Sequence, residues 1–157
     1  MPVDWIVGHS LGAFLLLREP ERVARAGRVA LLAPIFAFPR EAGAGGRIAR
    51  AQVEYLARWL KRDRRVALAD FYARAGLDVP AHSYPRETSE ELAWGLERLA
   101  HDRVEPGIPE GWRAWCGADD ALLDAAKLHA LAPAIAVVAG ATHHPRELMR
   151  AMAEVAA

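Results

Sequence analysis

A serine near the N-terminus stands between two glycines in the pattern Gly-x-Ser-x-Gly. Residues 8–12 read Gly-His-Ser-Leu-Gly, and apolar runs precede and follow them. Strand, Gly-x-Ser-x-Gly and helix in this order are typical of a nucleophile elbow, a sharp turn that lifts a serine hydroxyl above a sheet edge. We expect glycine at positions 8 and 12 because a Cβ at either would clash with neighbouring backbone. Ser10 is therefore a candidate nucleophile.

Two later segments supply the groups that such a serine needs. Histidine removes the hydroxyl proton near neutral pH, and a carboxylate fixes the tautomer of that histidine. Residues 117–120 read Gly-Ala-Asp-Asp, and residues 140–145 read Gly-Ala-Thr-His-His-Pro. The serine, an aspartate and a histidine thus each follow a predicted strand, at the edge where parallel α/β sheets place their sites.

Neighbouring residues leave alternatives for the acid and the base. His144 adjoins His143, and Asp119 adjoins Asp120. Asp124 is a third acid, with the alternative role of a helix N-cap.

The other histidines do not predict a metal centre. His82, His101 and His129 show no metal-ligand spacing with carboxylates or with the single cysteine, Cys116. His9, beside Ser10, either lines a substrate pocket or packs against the elbow. We therefore predict no metal and no organic cofactor.

Composition points to one globular domain. The 157 residues can bury a sizeable core, and they are 53% hydrophobic and 25% charged. Lys plus Arg and Asp plus Glu number 20 each, so the overall charge favours neither nucleic acid nor a membrane. A single cysteine cannot form an internal disulfide, which is typical of a protein in a reducing compartment. No apolar run approaches the ~20 residues of a membrane span. The sequence also shows no recognisable signal peptide. We expect a cytoplasmic protein.

The elements around these motifs predict an α/β framework with a helical insertion. Strand 4–7, helix 11–19, a turn at 19–23 and the continuous apolar strand 28–34 form a βαβ unit with parallel strands. After the glycine-rich joint at 43–46 no strand pattern occurs until residue 112.

The insertion and the final part of the chain have their own signals. Helices are predicted at 47–61, at 66–75 and after Thr88, which forms a capping box with Glu91. The framework resumes with strands 112–116 and 135–139, a helix at 124–131, and a last helix from Pro145.

Taken together, these motifs resemble the C-terminal two-thirds of an α/β-hydrolase, from residue 4 to the end. The segments 8–12, 20–23 (Pro-Glu-Arg-Val), 117–120 and 140–145 carry the resemblance. It implies an α/β-hydrolase-type parallel sheet with an inserted helical cap, with residues 1–38 and 106–157 as core and 39–105 as cap. Gly-Leu-Glu-Arg-Leu at 95–99, the cap's size and place, and the His-x-Pro ending are similar to pimeloyl-acyl-carrier-protein methyl ester esterases of biotin synthesis.

The resemblance implies a role for each matching residue. Ser10 is the nucleophile, Asp120 is the acid and His143 is the base, while the N–H of Leu11 is one oxyanion donor and His9 is a substrate-binding candidate. Such a triad cleaves a carboxylic ester through an acyl-enzyme. A thioesterase or lactonase of the same mechanism is the alternative within this class.

The chain departs from the family on its N-terminal side. The strands that precede the elbow, and the second oxyanion donor they carry, are missing, so the chain looks N-terminally truncated. We expect a fragment or misassigned start, a sheet completed by another subunit, or a non-catalytic hydrolase-like module. An open edge beside the first strand favours self-association.

The predicted partner is a small-molecule ester or one bound to an acyl carrier protein. The basic run Lys61-Arg62-Asp63-Arg64-Arg65, with Arg47, Arg50 and Arg58 nearby, either docks an acidic carrier or forms a solvated helix face. Five aromatic residues are predicted to pack in the cap, with some as alternatives for lining an acyl tunnel: Tyr55, Trp59, Phe71, Tyr72 and Trp94.

Overall fold

The computed structural model describes residues 5–23 and 27–156, so Asp4 of the predicted first strand lies outside the described residues. The described chain forms four strands and seven α-helices, in the order β1 Trp5–His9, α1 Leu11–Arg18, α2 Pro20–Val23, β2 Arg28–Leu32, α3 Arg50–Arg62, α4 Arg64–Arg74, α5 Ser89–His101, β3 Arg113–Gly117, α6 Ala125–Leu131, β4 Ile135–Val138 and α7 Pro145–Ala156. Two single-turn 3-10 helices lie in the connections, at Arg40–Ala42 and Ala81–Ser83.

The strands form one parallel sheet in the order β1-β2-β3-β4. All the parallel strands therefore end at one edge, which brings the loops after β1, β3 and β4 to the same side. β2 lies inside the sheet and is buried from Val29 to Leu32, as its continuous apolar sequence predicts. The predicted fold class is confirmed.

Backbone geometry shifts some of the predicted boundaries. β2 ends at Leu32, two residues early, because Ala33 adopts a left-handed conformation with φ of 50°. The predicted turn at 19–23 is wrong in part, since Pro20–Val23 forms the one-turn helix α2. Proline suits the first position of a helix because its fixed φ is already helical and its missing N–H has no intrahelical acceptor.

The helices α3, α4 and α5, here called the cap helices, occupy the insertion between β2 and β3. The predicted capping box begins α5: the Glu91 N–H donates to Thr88 Oγ1 at 3.2 Å, and the Thr88 N–H donates to Glu91 Oε2 at 2.7 Å. α4 begins two residues earlier than predicted because the Asp63 carboxylate accepts the Val66 N–H at 3.2 Å. Such N-caps satisfy backbone donors that the helix itself cannot.

Two groups of buried side chains stabilise these layers. The main core joins β2 and β3 to Phe14 of α1 and to Phe36, both completely buried. A smaller cluster around Leu60 and Leu68 holds the cap helices together. The domain boundaries at residues 38 and 105 stay predictions.

Among the described residues, no helix combines the length and the apolar character that crossing a membrane requires.

Candidate active site

Ser10 occupies a strained turn between β1 and α1. Its φ of 54° and ψ of −114° lie where residues other than glycine are rarely found. Two backbone hydrogen bonds hold it there: its N–H donates to the Leu32 carbonyl at 2.9 Å, and its carbonyl accepts the Phe14 N–H at 3.0 Å. This conformation presents the hydroxyl above the sheet edge, as expected of a nucleophile elbow.

The two glycines of the elbow have different roles. A Cβ on Gly8 would lie 2.9 Å from both the Ala13 nitrogen and the Gly12 carbonyl carbon, so the turn needs glycine there. A Cβ on Gly12 would meet no atom within 4 Å. The expected clash at Gly12 is therefore wrong, because this face of α1 borders the cleft above the site.

The structure brings Ser10, His143 and Asp120 into one hydrogen-bonded line. The Ser10 hydroxyl lies 3.0 Å from His143 Nε2, and His143 Nδ1 lies 2.7 Å from Asp120 Oδ2. The histidine and aspartate are almost completely buried, at 2% and 1% exposure. With the Nδ1 proton donated to the carboxylate, Nε2 is left free to accept the serine proton, which is the arrangement of a Ser-His-Asp triad.

Backbone donors hold the Asp120 carboxylate in place. Its Oδ1 accepts the N–H of Leu122 at 2.8 Å and the N–H of Leu123 at 3.0 Å. Oδ2 remains for His143, so both oxygens of this buried carboxylate have partners. A buried charge satisfied in this way stays oriented toward the imidazole.

The alternative acids and base lie outside this line. Asp119 is exposed, and Asp124 caps α6 by accepting the Lys127 N–H at 3.0 Å. The His144 ring accepts the Arg146 N–H at 3.1 Å and is half-buried.

A close backbone approach joins the acid loop to the histidine loop. A Cβ on Gly117 would lie 2.3 Å from the Ala141 carbonyl oxygen and 2.4 Å from that of Thr142. The Asp119 N–H also donates to the Ala141 carbonyl at 2.9 Å. Glycine at the end of β3 therefore lets the two loops meet, which places Asp120 within reach of His143.

A carboxylate that the sequence analysis missed holds the histidine loop. Glu147 Oε2 accepts the Thr142 N–H at 2.6 Å and the Thr142 hydroxyl at 2.8 Å, and the same hydroxyl oxygen accepts the His144 N–H at 3.2 Å. These hydrogen bonds, the backbone one first, lower the pKa of Glu147. The available signal was an acidic residue in the first turn of the predicted last helix.

His9 contacts the same loop from the elbow. Its Nε2 lies 2.9 Å from the His143 carbonyl oxygen, which can only accept, so Nε2 carries the proton. Burial, followed by the nearby His143 ring, lowers the pKa of His9 to about 4. A neutral His9 thus supports the His143 backbone and also borders the cleft. Its role in binding substrate stays a prediction.

The triad opens into a cleft between the sheet and the cap helices. The cleft has a volume of about 1000 Å³, and its wall includes Ser10, His143 and the mainly apolar residues of α3, α4 and α5. Leu11 also borders it. As the first residue of α1, Leu11 has an N–H in the helical turn whose donors lack intrahelical acceptors.

In the described parts of the chain, no three His, Cys, Asp or Glu side chains lie close enough together to hold a metal ion. Cys116 is buried in β3, and burial raises the pKa of its thiol to about 12. Such a thiol is a core side chain rather than a second nucleophile.

Comparisons with known proteins rest on structure. No protein-family model matches the chain. No curated protein matches it either. An esterase (EaEST) from Exiguobacterium antarcticum superposes with a TM-score of 0.71 at 14% identity, over 96% of this chain and 64% of its own. A thermophilic esterase from Thermogutta terrifontis (malate bound) superposes with a TM-score of 0.68 at 13% identity, over 97% of this chain and 62% of its own.

A third similar structure is described as a non-heme bromoperoxidase, BpoC, from Mycobacterium tuberculosis H37Rv. It gives a TM-score of 0.52 at 19% identity, over 98% of this chain and 66% of its own. The chain thus spans less than two thirds of each of these proteins. What the likeness establishes is the architecture: this parallel sheet with its cap helices has the α/β-hydrolase fold.

Proposed function

We propose that the chain carries the reaction centre of a serine hydrolase that cleaves carboxylic esters. The observation that carries the proposal is the line from the Ser10 hydroxyl to His143 Nε2, at 3.0 Å, and from His143 Nδ1 to Asp120, at 2.7 Å. Likeness in fold to two esterases supports it. Fold alone does not assign a reaction, so the geometry of the three side chains is the main argument.

In the proposed reaction, His143 takes the proton of Ser10 as the serine oxygen attacks the ester carbonyl. Asp120 stabilises the imidazolium that forms. The N–H of Leu11, at the N-terminus of α1, donates to the developing oxyanion. His143 then protonates the leaving alcohol, and a water molecule that it activates releases the acid from the Ser10 ester.

Ester turnover tests this proposal. A series of p-nitrophenyl esters should be hydrolysed by the wild-type chain, and Ser10→Ala should lower kcat by at least about 10³-fold. Ser83→Ala is the matched control, because Ser83 is exposed and borders neither the cleft nor the triad. A folded Ser10→Ala protein as active as the control would exclude Ser10 as the nucleophile.

Thioesters and lactones react by the same chemistry, so the cap helices decide among these substrates. Matched substrates that share one acyl group as oxoester, thioester or lactone separate the candidates by kcat/KM. A folded chain that turns over none of them is the expected outcome for a non-catalytic hydrolase-like module.

A narrower proposal is the methyl ester of pimeloyl-acyl carrier protein, a step of biotin synthesis. Exposed Arg58, Arg62 and Arg65 on the cap helices support docking of an acidic carrier. Arg64 does not belong to this surface, since its guanidinium donates to the Pro85 and Glu87 carbonyls and holds the loop before α5.

Charge reversal on the cap helices tests whether an acidic carrier protein docks there. Arg62→Glu with Arg65→Glu should lower the rate on the carrier-bound ester about tenfold and weaken its salt dependence, while the free methyl ester reacts at the former rate. Arg40→Glu, exposed outside the cap helices, is the control. Equal rates in both variants would leave a small-molecule ester as the substrate.

Self-association through β1 is a further proposal. Within the described residues β1 pairs with β2 alone, and Val7 on it is 39% exposed. A strand edge of this kind can pair with a second copy. Light scattering should then show a dimer that Val7→Lys dissociates, and a monomer at all concentrations would contradict the proposal.

A further inference from the structure

A second apolar chamber lies beside the cleft, under the same cap. Its volume is about 340 Å³, within the range of ligand pockets. Phe38 and Leu122 form its floor on the core side, and residues of the cap helices form its walls. Because the Leu122 N–H donates to Asp120, the chamber adjoins the acid of the triad.

Three side chains separate this chamber from the cleft. Leu56, Phe71 and Leu96 line both cavities, and each comes from a different cap helix. All three are only partly buried, as expected for side chains with open space beside them. Side chains form this partition, so a rotamer change can open it without moving a helix.

Three of the polar side chains that line the chamber, those of Arg74, Asp70 and Gln52, take part in hydrogen bonds. Arg74 Nε donates to Asp70 Oδ2 at 2.7 Å, and Gln52 Oε1 accepts the Ala49 N–H at 3.1 Å. The rest of the lining is mainly aliphatic and aromatic. A polar or charged ligand would gain little from such walls, whereas a hydrocarbon chain would leave water.

Resting on the proposed esterase function, we propose that this chamber is the distal part of the acyl site. The hydrocarbon tail of a long unbranched acyl group passes the partition at Phe71 and ends in the chamber, whereas short acyl groups stay in the cleft beside Ser10. The substrate class is therefore medium- to long-chain esters, and the partition sets the length at which the chamber is entered.

Binding of fatty acids to the full chain carrying Ser10→Ala tests this without turnover. Calorimetry with hexanoate and dodecanoate measures the ratio of the two affinities, and each methylene that leaves water should tighten binding about fourfold. Ala51→Trp, on the exposed start of α3, places an indole in the chamber. Ala69→Trp, exposed on α4 and bordering neither cavity, is the matched control.

The proposal predicts that the ratio of dodecanoate to hexanoate affinity falls at least tenfold in Ala51→Trp and stays within twofold in Ala69→Trp. Equal ratios in the two variants would overturn it. If Ala51→Trp fails to fold, Phe71→Ala decides, because removing the partition should raise the ratio at least threefold, and an unchanged or lower ratio contradicts the proposal.

The two proposals fail separately. An esterase with the same ratio in both tryptophan variants would disprove the chamber and keep the reaction. A wild-type chain that hydrolyses no ester, with a ratio that falls only in Ala51→Trp, would disprove the reaction and keep the chamber as a hydrocarbon site.

Discussion

The triad end of the sheet and the cavities under the cap helices are stabilised by different forces. At the sheet end, hydrogen bonds orient the side chains of the proposed triad, and Asp120 alone accepts three. Under the cap, mainly apolar side chains such as Leu56, Phe71 and Leu96 form the walls. Hydrogen bonds specify positions within tenths of an ångström, whereas apolar contacts specify volume and tolerate exchange.

This difference predicts two kinds of mutational effect. A change of one atom at the sheet end should alter turnover strongly, because proton transfer along the hydrogen-bonded line depends on which atoms donate and which accept. A change of size under the cap should alter the preferred chain length and leave the chemistry in place. The changes at Asp120 and Glu147 below test turnover at the sheet end, and those at Gly117 and His9 test the stability of the contacts around it.

Asp120→Asn should lower kcat about 10⁴-fold with little loss of stability. The asparagine oxygen can still accept the Leu122 and Leu123 N–H groups, but its NH₂ then faces His143 Nδ1 and favours the wrong tautomer. Steady-state kinetics and thermal unfolding measure the two effects. Asp119→Asn, at an exposed position, is the control, and similar kinetics for the two variants would contradict the assignment.

Gly117→Ala should destabilise the chain by about 3 kcal/mol, because the new Cβ would meet carbonyl oxygens at 2.3 and 2.4 Å. Gly12→Ala should instead stabilise it by about 0.5–1 kcal/mol, since the position is helical and its Cβ meets nothing within 4 Å. Urea unfolding measures both. A Gly117→Ala protein at least as stable as the wild type would show that the approach of the two loops does not depend on Gly117.

Glu147→Ala should lower kcat about tenfold and leave KM nearly the same. Without the carboxylate, the Thr142 N–H and hydroxyl lose their acceptor, and the loop that positions His143 loosens. Glu147→Gln should restore most of kcat, because its amide oxygen can accept both bonds. Glu154→Ala, exposed on the same helix, is the control, and a loss confined to KM would contradict a positioning role.

Between pH 7.5 and pH 5, the free energy of unfolding should fall by about 1 kcal/mol less in His9→Gln than in the wild type. The pKa of His9 falls from 6.5 in the unfolded chain to about 4 in the fold, so between these values the unfolded state binds more protons and stability falls as pH falls. Solvent near this half-buried ring reduces the effect. Urea unfolding of both proteins at the two pH values measures it, and equal pH dependence would contradict a buried, neutral His9.

The elements and the convergence of Ser10, Asp120 and His143 could be predicted because they depend on local pattern and strand order. Parallel strands end at one edge, so residues that follow three strands must lie close together whatever the details of packing. The turn geometry at Ser10 follows in the same way from the Gly-x-Ser-x-Gly spacing.

The supporting contacts could not be predicted because they join loops by tertiary packing. The Glu147 carboxylate reaches Thr142 only once α7 has docked, and the approach at Gly117 depends on how β3 and β4 pair. The clash expected at Gly12 does not occur, and spacing alone does not reveal which side of α1 faces open space. The partition at Phe71 depends on the relative placement of three helices, which helical periodicity does not encode.

The most direct test of the central claim is labelling with a fluorophosphonate. The reagent should attach to Ser10, the adduct should be located by peptide mass spectrometry, and Ser10→Ala should abolish it while Ser83→Ala labels as the wild type does. The labelling rate should fall sharply in His143→Ala, because the hydroxyl loses its base. A folded wild-type chain that takes no label, or takes it at another residue, would contradict the assignment of Ser10 as an activated nucleophile.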